Sequence, residues 1–345
     1  MELSRTINSD KRYYLDENTI ENAASFLQTM RVFNDAKIDL YNALYDQKYL
    51  ASGPLIDHAY PVFLKEKYKT NDYYNAAIYT AASGSISSQK ELKKYYGTTI
   101  TADLKTRDEK IQMIQEALDK KKAVKNSIRI YRKDGRWITP YPRCQLKVKG
   151  LMIVLFNKTI VKLDEYERSV EVDIRKLKTR LALVTEARKR KEKKLENIKN
   201  LPPERIVFGG KKLYSEKDTV GITKSAEDNK TSQKALKEWK QEFFEKRHQS
   251  MALPGRHTSK YGNFLCKYDG KDLSVTCIDG TTTVFHDFKL PRYNEAFQNN
   301  FTCKPEDRQS ICYNFTVKRD RKNRQYIIVS VTMKLQAYEN SYYGN

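Results

Sequence analysis

The segment IVFGGKKLYSEKD, Ile206 to Asp218, sets two glycines before two lysines, the composition of a phosphate cradle. A P-loop needs four residues between its glycines and a Ser or Thr directly after the Lys, so that backbone N–H groups wrap the phosphates and the hydroxyl meets Mg²⁺. Here the glycines are adjacent and Leu213 follows Lys212, so a nucleotide cradle is excluded. The pattern predicts a β-hairpin instead: Ile206, Val207 and Phe208 run into Gly209-Gly210, and the chain leaves through Leu213 and Tyr214. Lys211 and Lys212 then stand at its tip, as contacts for a phosphate backbone or as charges on a solvated turn.

The other reactive residue types form no catalytic pattern. The histidines (His58, His248, His257, His286) are scattered, with no carboxylate or nucleophile at a telling distance along the chain. The carboxylates Asp164, Glu165, Glu167, Glu171 and Asp173 fall within a segment of helical apolar periodicity and read as its solvated face. Two-metal phosphodiester cleavage needs several carboxylates converging on the ions, and no such set is visible. The five cysteines, Cys144, Cys266, Cys277, Cys303 and Cys312, are odd in number and contain no C-x-x-C, which argues against a zinc ribbon or a disulfide framework. They read as buried thiols. No catalytic residue, metal site or cofactor is expected.

Charge points to a partner. The 345 residues include 65 Lys+Arg against 43 Asp+Glu, a formal net charge of +22, far more than solubility requires. A polyanion is the expected partner. The 24 Tyr and 13 Phe argue against disorder throughout. The first residues, MELSRTINSDKRYYLDENTI, lack the apolar core of a signal peptide, and the longest apolar run, GLMIVLF at Gly150 to Phe156, is too short for a bilayer. A cytoplasmic chain with no membrane partner is expected.

These side chains must be positioned by elements of two kinds. From Thr19 to Leu50, apolar residues recur at helical spacing (Ile20, Ala24, Leu27, Met30, Phe33, Leu40, Leu44), with Lys37 breaking the stripe. Further helices are predicted at Pro61 to Tyr68 and Asp72 to Ala82, in SSQKELKKYYGTT ended by Gly97, and at Leu104 to Lys125. Tyr41, Tyr45, Tyr49, Tyr68, Tyr73, Tyr74, Tyr79, Tyr95 and Tyr96 in this region read mostly as packing residues rather than base-stacking ones. Lys162 to Lys199 is a long amphipathic segment, one arm of a helical hairpin or short coiled coil. Its end, EARKRKEKKLENIKN, places Arg188, Lys189 and Arg190 on a basic track or on a solvated face. The stretch Ser127 to Lys162 alternates and predicts a small β insertion.

Beyond Pro202-Pro203, alternation dominates. Asp269-Gly270 and Asp279-Gly280 signal two successive hairpins, and Tyr313 to Leu335 reads as another with a charged turn at Arg319 to Arg324. A helix at Gln233 to Lys246 separates them from the first turn. The expected fold is α+β, a helical lobe with a long helical hairpin inserted beside a small antiparallel β-barrel.

RIVFGGKKLY followed by LKEWKQEFFEKRHQSMALPGRHTSKYGNFLCKYDGKDLSV resembles the wedge domain of TnpB, the transposon-encoded RNA-guided DNA endonuclease, and of the related type V CRISPR effectors. The features that carry the likeness are the Phe-Gly-x-Lys-Lys-Leu segment, the helix from Trp239 to Arg247, Gly255-Arg256, and Gly262-Asn263 before a strand. The likeness covers most of Ile20 to Leu335 and is strong over Arg205 to Asp272. It implies an OB-like wedge barrel over 201–338 with a first strand in 1–18, a helical recognition lobe over 19–200, and a linker at 339–345 toward a RuvC-like nuclease domain. The implied partners are a guide RNA, target DNA and a separately encoded RuvC-like nuclease half. Lys211, Lys212, Arg247, Arg256 and Lys260 would contact phosphates, as would Arg188, Lys189 and Arg190, and the chain would not cleave by itself. A nuclease-free repressor and a generic basic RNA-binding protein remain as alternative readings.

Overall fold

The computed structural model describes residues 2–51, 59–217 and 226–336. His58 and Asp218 lie outside them. The chain divides into two compact units, one formed by 1–88 with 204–345, the other by 89–203. The helical lobe expected over 19–200 is therefore divided, and its first part belongs with the strands.

The first unit holds two antiparallel sheets. In one, β1 (Glu2–Asn8), β12 (Gln325–Gln336), β11 (Cys312–Arg319) and β7 (Ser250–Leu253) follow in that order, and β2 (Tyr13–Tyr14) also pairs with β12. In the other the order is β3 (Ile20–Glu21), β10 (Thr282–Phe285), β9 (Leu273–Thr276) and β8 (Cys266–Tyr268). Gly270 and Gly280, both at positive φ, make the turns joining β8 to β9 and β9 to β10, as Asp-Gly predicts. Tyr313 to Leu335 forms the predicted hairpin of β11 and β12.

The sheets are open among the described residues and do not close into the expected barrel. The reason lies in helix α1 (Ala23–Tyr45), whose apolar stripe joins both sheets in one core. Phe26 meets Phe285 of one sheet at 5.2 Å and Phe315 of the other at 4.9 Å between ring centroids. A helix thus fills space that strands facing one another would fill in a barrel. The short helices α2 (Tyr60–Tyr68) and α7 (Asn294–Thr302) add Leu64 and Phe297 to the same core.

Helix α3 (Asp72–Asp134) is continuous through Gly97, where a stop was predicted. A helical glycine costs only about 1 kcal/mol relative to Ala, and no proline follows to enforce an end. The hydroxyls of Thr98, Thr99 and Thr101 donate to carbonyls of the preceding turn. Of the nine tyrosines, most of them read as packing residues, Tyr41, Tyr45 and Tyr74 are buried and Tyr49, Tyr68 and Tyr79 pack against the core. Tyr73, Tyr95 and Tyr96 are exposed.

The second unit is a helical hairpin with a small sheet. Within it α3 runs antiparallel to α4 (Leu163–Asn200): Lys121 pairs with Asp173, Lys125 with Glu171, and Arg132 with Asp164 and Glu167, each step along α3 matched by a step back along α4. Of the carboxylates expected on a solvated face, Asp164, Glu167, Glu171 and Asp173 are thus partners of α3, while Glu165 is exposed. The predicted β insertion spans β4 (Lys147–Lys149), β5 (Met152–Val154) and β6 (Ile160–Lys162), whereas Ser127 to Asp134 still belongs to α3. Val124, Ile128, Leu146, Ile153, Leu163 and Val170 form its core. Leu177, Leu181 and Val184, farther along the predicted stripe, stay half-exposed.

Candidate nucleic-acid interface

The Gly-Gly-Lys-Lys segment forms a turn and a helix, not a hairpin. The N–H of Gly210 donates to Val207 O at 3.1 Å, and the chain passes directly into α5 (Lys211–Ser215). Its place is set by α6 (Ala226–Arg247), whose Trp239, Phe243 and Arg247 recur every fourth residue and so share one face. Gly209, at φ +98°, lies so close that a Cβ there would come within 2.8 Å of the Phe243 ring and 3.2 Å of Arg247 Cγ. Trp239 Nε1–H donates to Leu213 O at 2.7 Å, the carbonyl a returning strand would need. Tyr214 also meets the Phe243 ring. On the other side, the Ile206 N–H donates to Tyr41 Oη at 3.0 Å, and Phe208 packs edge-on against Tyr41.

This arrangement brings Lys211, Lys212 and Arg247 onto one assembly. Lys211 pairs with Glu204 at 2.6 Å, both side chains being largely exposed, a contact worth little in water. Lys212 is exposed and has no ion-pair partner among the described residues. Arg247 is half-buried, its Nε lacking a hydrogen-bond partner.

Arg256 and Lys260 form a second group, on the loop between β7 and β8. Asn263 is the hub of that loop: its amide N–H donates to Leu253 O, Pro254 O and Ile311 O, and its Oδ1 accepts from Leu265 N–H and Cys266 N–H. Gly255 leaves no room for a side chain, since a Cβ would fall 2.2 Å from Ile311 N. The glycine and asparagine signals in this stretch thus build a rigid loop, from which Arg256, His257 and Lys260 project into solvent. Beside it, Tyr73 stacks on Phe264 with centroids 4.6 Å apart.

Arg188, Lys189 and Arg190 belong to the second unit. Arg188 pairs with Asp108 and Glu192, and Arg190 with Glu186; the Asp108 contact raises the Arg188 pKa further. Lys189 is exposed without such a partner among the described residues.

The structure gives Lys37, His248 and His286 partners that spacing along the chain did not reveal. Lys37, the break in the stripe of α1, donates to Asn34 Oδ1 at 2.6 Å and lies 5.4 Å from the centre of the Phe208 ring. Burial pulls its pKa down to about 8. His248 and His286 do have carboxylate partners, Asp35 and Glu21 from distant parts of the chain and Asp272 from 14 residues before His286. His248 Nε2 lies 2.9 Å from Asp35, while its Nδ1 meets Phe244 O. His286 lies between Asp272 and Glu21 at 3.0 and 3.1 Å. A cleft of about 680 Å³, lined by Met30, Arg31, Phe244, His248 and Lys318 among others, opens on the α6 face that carries Phe244.

Of the cysteines, Cys266 and Cys277 are buried and the other three are half-exposed. Among the described residues no three His, Cys, Asp or Glu side chains are grouped as a metal site, and no helix is long and apolar enough to cross a membrane. The chain matches no protein-family model, no curated protein and no solved structure.

Proposed function

We propose that this chain binds a folded guide RNA, and with it target DNA, as the recognition and wedge part of an RNA-guided DNA endonuclease of the TnpB kind. The observation that carries the reading is the Gly209-Gly210 turn, packed between Tyr41 and the Phe243 face of α6 so that Lys211 and Lys212 open a short exposed helix. A solvated turn has no need of such support, whereas a phosphate contact gains from a fixed backbone. The net charge of +22 supports the same partner class. Contacts of this kind add affinity and register, and sequence is left to base pairing. The two open sheets around Phe26, Phe285 and Phe315 take the place of the wedge, and cleavage falls to a nuclease outside the residues described.

RNA recovered with the chain from its host after washing at raised salt should be one abundant species with a structured part and a variable end. Charge reversal by Lys211→Glu with Lys212→Glu should weaken binding of that RNA roughly tenfold or more and flatten its salt dependence. Heterogeneous RNA that washes away, with no effect of the double variant, would overturn the reading.

A further inference from the structure

The small sheet of the second unit has one face toward the hairpin and one toward solvent. Ile153 is buried there, and its cross-strand neighbours Val148 and Val161 pack with it on the core of that unit. Strand alternation sends the flanking positions to the opposite face. In the observed register, one outer row across the three strands reads Lys149, Met152, Lys162, and the next reads Lys147, Val154, Ile160. Apolar side chains therefore occupy the middle of the face and lysines three of its four corners.

Beyond that face, the turn between β5 and β6 projects Phe156, Asn157 and Lys158. Phe156 is 77% exposed and Ile160 60%, although a buried core is available within the same unit. From Gly135 to Lys162 the sequence has six Lys or Arg and no Asp or Glu. None of the six has an ion-pair partner among the described residues, while Asp164 and Glu167 nearby are taken by Arg132. An exposed apolar patch ringed by unpaired cations fits a partner that is at once anionic and flat-faced.

We infer that this outer face binds single-stranded RNA, with one base stacked on Phe156, further bases over Met152 and Ile160, and phosphates on Lys147, Lys149, Lys158 and Lys162. A duplex buries its base faces and would leave the apolar centre uncovered. An unstacked strand offers both base faces and phosphates. The exposed hydroxyl of Thr159 and the amide of Asn157, beside Phe156, suit a strand carrying 2′-hydroxyls. The inference uses no residue of the interface proposed for the first unit and fails separately from it.

The test is fluorescence anisotropy of a labelled mixed-sequence 20-nucleotide RNA with the full chain, across a range of salt. Phe156→Ala should weaken binding about fivefold to 160-fold, the range of base–aromatic stacking, and Phe156→Tyr should restore it. Lys149→Glu with Lys162→Glu should lower the slope of log affinity against log salt by about 1.4, for two single-strand phosphate contacts. All these side chains are exposed, so thermal melting followed by circular dichroism should be unchanged. Ultraviolet crosslinking should attach the RNA to the peptide around Phe156. Affinity within twofold of the parent for Phe156→Ala overturns the inference. So does a larger effect of these variants on the duplex of the same sequence, on the DNA strand, or on phosphatidylglycerol vesicles. With Lys211→Glu and Lys212→Glu in place, the Phe156 effect should persist.

Discussion

Gly209 and Gly210 sit side by side with nearly equal positive φ, 98° and 100°, yet only Gly209 has a neighbour where a Cβ would point. The two positions therefore separate conformational cost from packing cost. Gly210→Ala should lose about 1–3 kcal/mol for backbone strain alone, and Gly209→Ala more, because Phe243 must also move. Urea unfolding with an unchanged m-value is the measurement, and equal losses would mean that the turn does not depend on α6. His286 offers a second residue-level test. Its hydrogen bond to Asp272 raises its pKa above the ordinary 6.5, helped by Glu21 and opposed by burial. Burial pushes the Asp272 carboxyl up, but the Asp287 N–H, His286 and Lys271 outweigh it and hold it below 3.8. The raised His286 stabilises the fold fully below its unfolded value and loses that contribution as pH rises through its folded value. The lowered Asp272 contributes above its unfolded value and loses it as pH falls through the folded one. The stability gap between the parent and His286→Gln should thus be widest between about pH 3.8 and 6.5 and shrink on either side. The His248 pair was not legible in the sequence because Asp35 lies 213 residues away, and the His286 site was not because Glu21 lies 265 residues away and Asp272, 14 residues away, is brought near through the pairing of β9 with β10. Lys37 did leave a trace there, as a charge inside an apolar stripe.

At the scale of elements, what was legible followed from local chemistry. The Asp-Gly turns made the predicted hairpins because their geometry is decided within four residues. The helical arm from Lys162 to Lys199 matches α4 closely. The Gly-Gly turn was misread because the group that captures the Leu213 carbonyl is Trp239, on an element that local spacing cannot bring near. The α3 partners of Asp164, Glu167, Glu171 and Asp173 were missed for the same reason. The hairpin itself is unevenly held. Its clustered apolar core lies at the end that carries the small sheet, backing the Lys121, Lys125 and Arg132 pairs there, while farther along the separate buried side chains Leu118, Ile114 and Ile100 accompany the pairs of Arg188 and Lys191 with Asp108 and Asp103. Leu163→Ala should cost about 2–4 kcal/mol. Added salt should speed hydrogen exchange more around Arg188 and Lys191 than at the end with the small sheet, where a clustered core backs the ion pairs. Equal salt response along the whole hairpin would refute this division.

For the whole molecule, the fold class was legible and the closure of the sheets was not. Counting strands by alternation predicts a sheet that must hide its edges, but it does not show that an aromatic helix will enter between the strands. The charge is a different kind of evidence, since a net +22 bears on association and says nothing about fold. One feature of the first sheet also governs how the molecule is made. Strand β1 pairs along its whole length with β12, so that Thr6 meets Thr332. A ribosome adding roughly 5–20 residues per second leaves β1 waiting on the order of tens of seconds for its partner. Through that interval the nascent chain carries an unsatisfied strand edge together with a large positive charge. The polyanion proposed as partner, if engaged during synthesis, would then also act as a shield against misassembly.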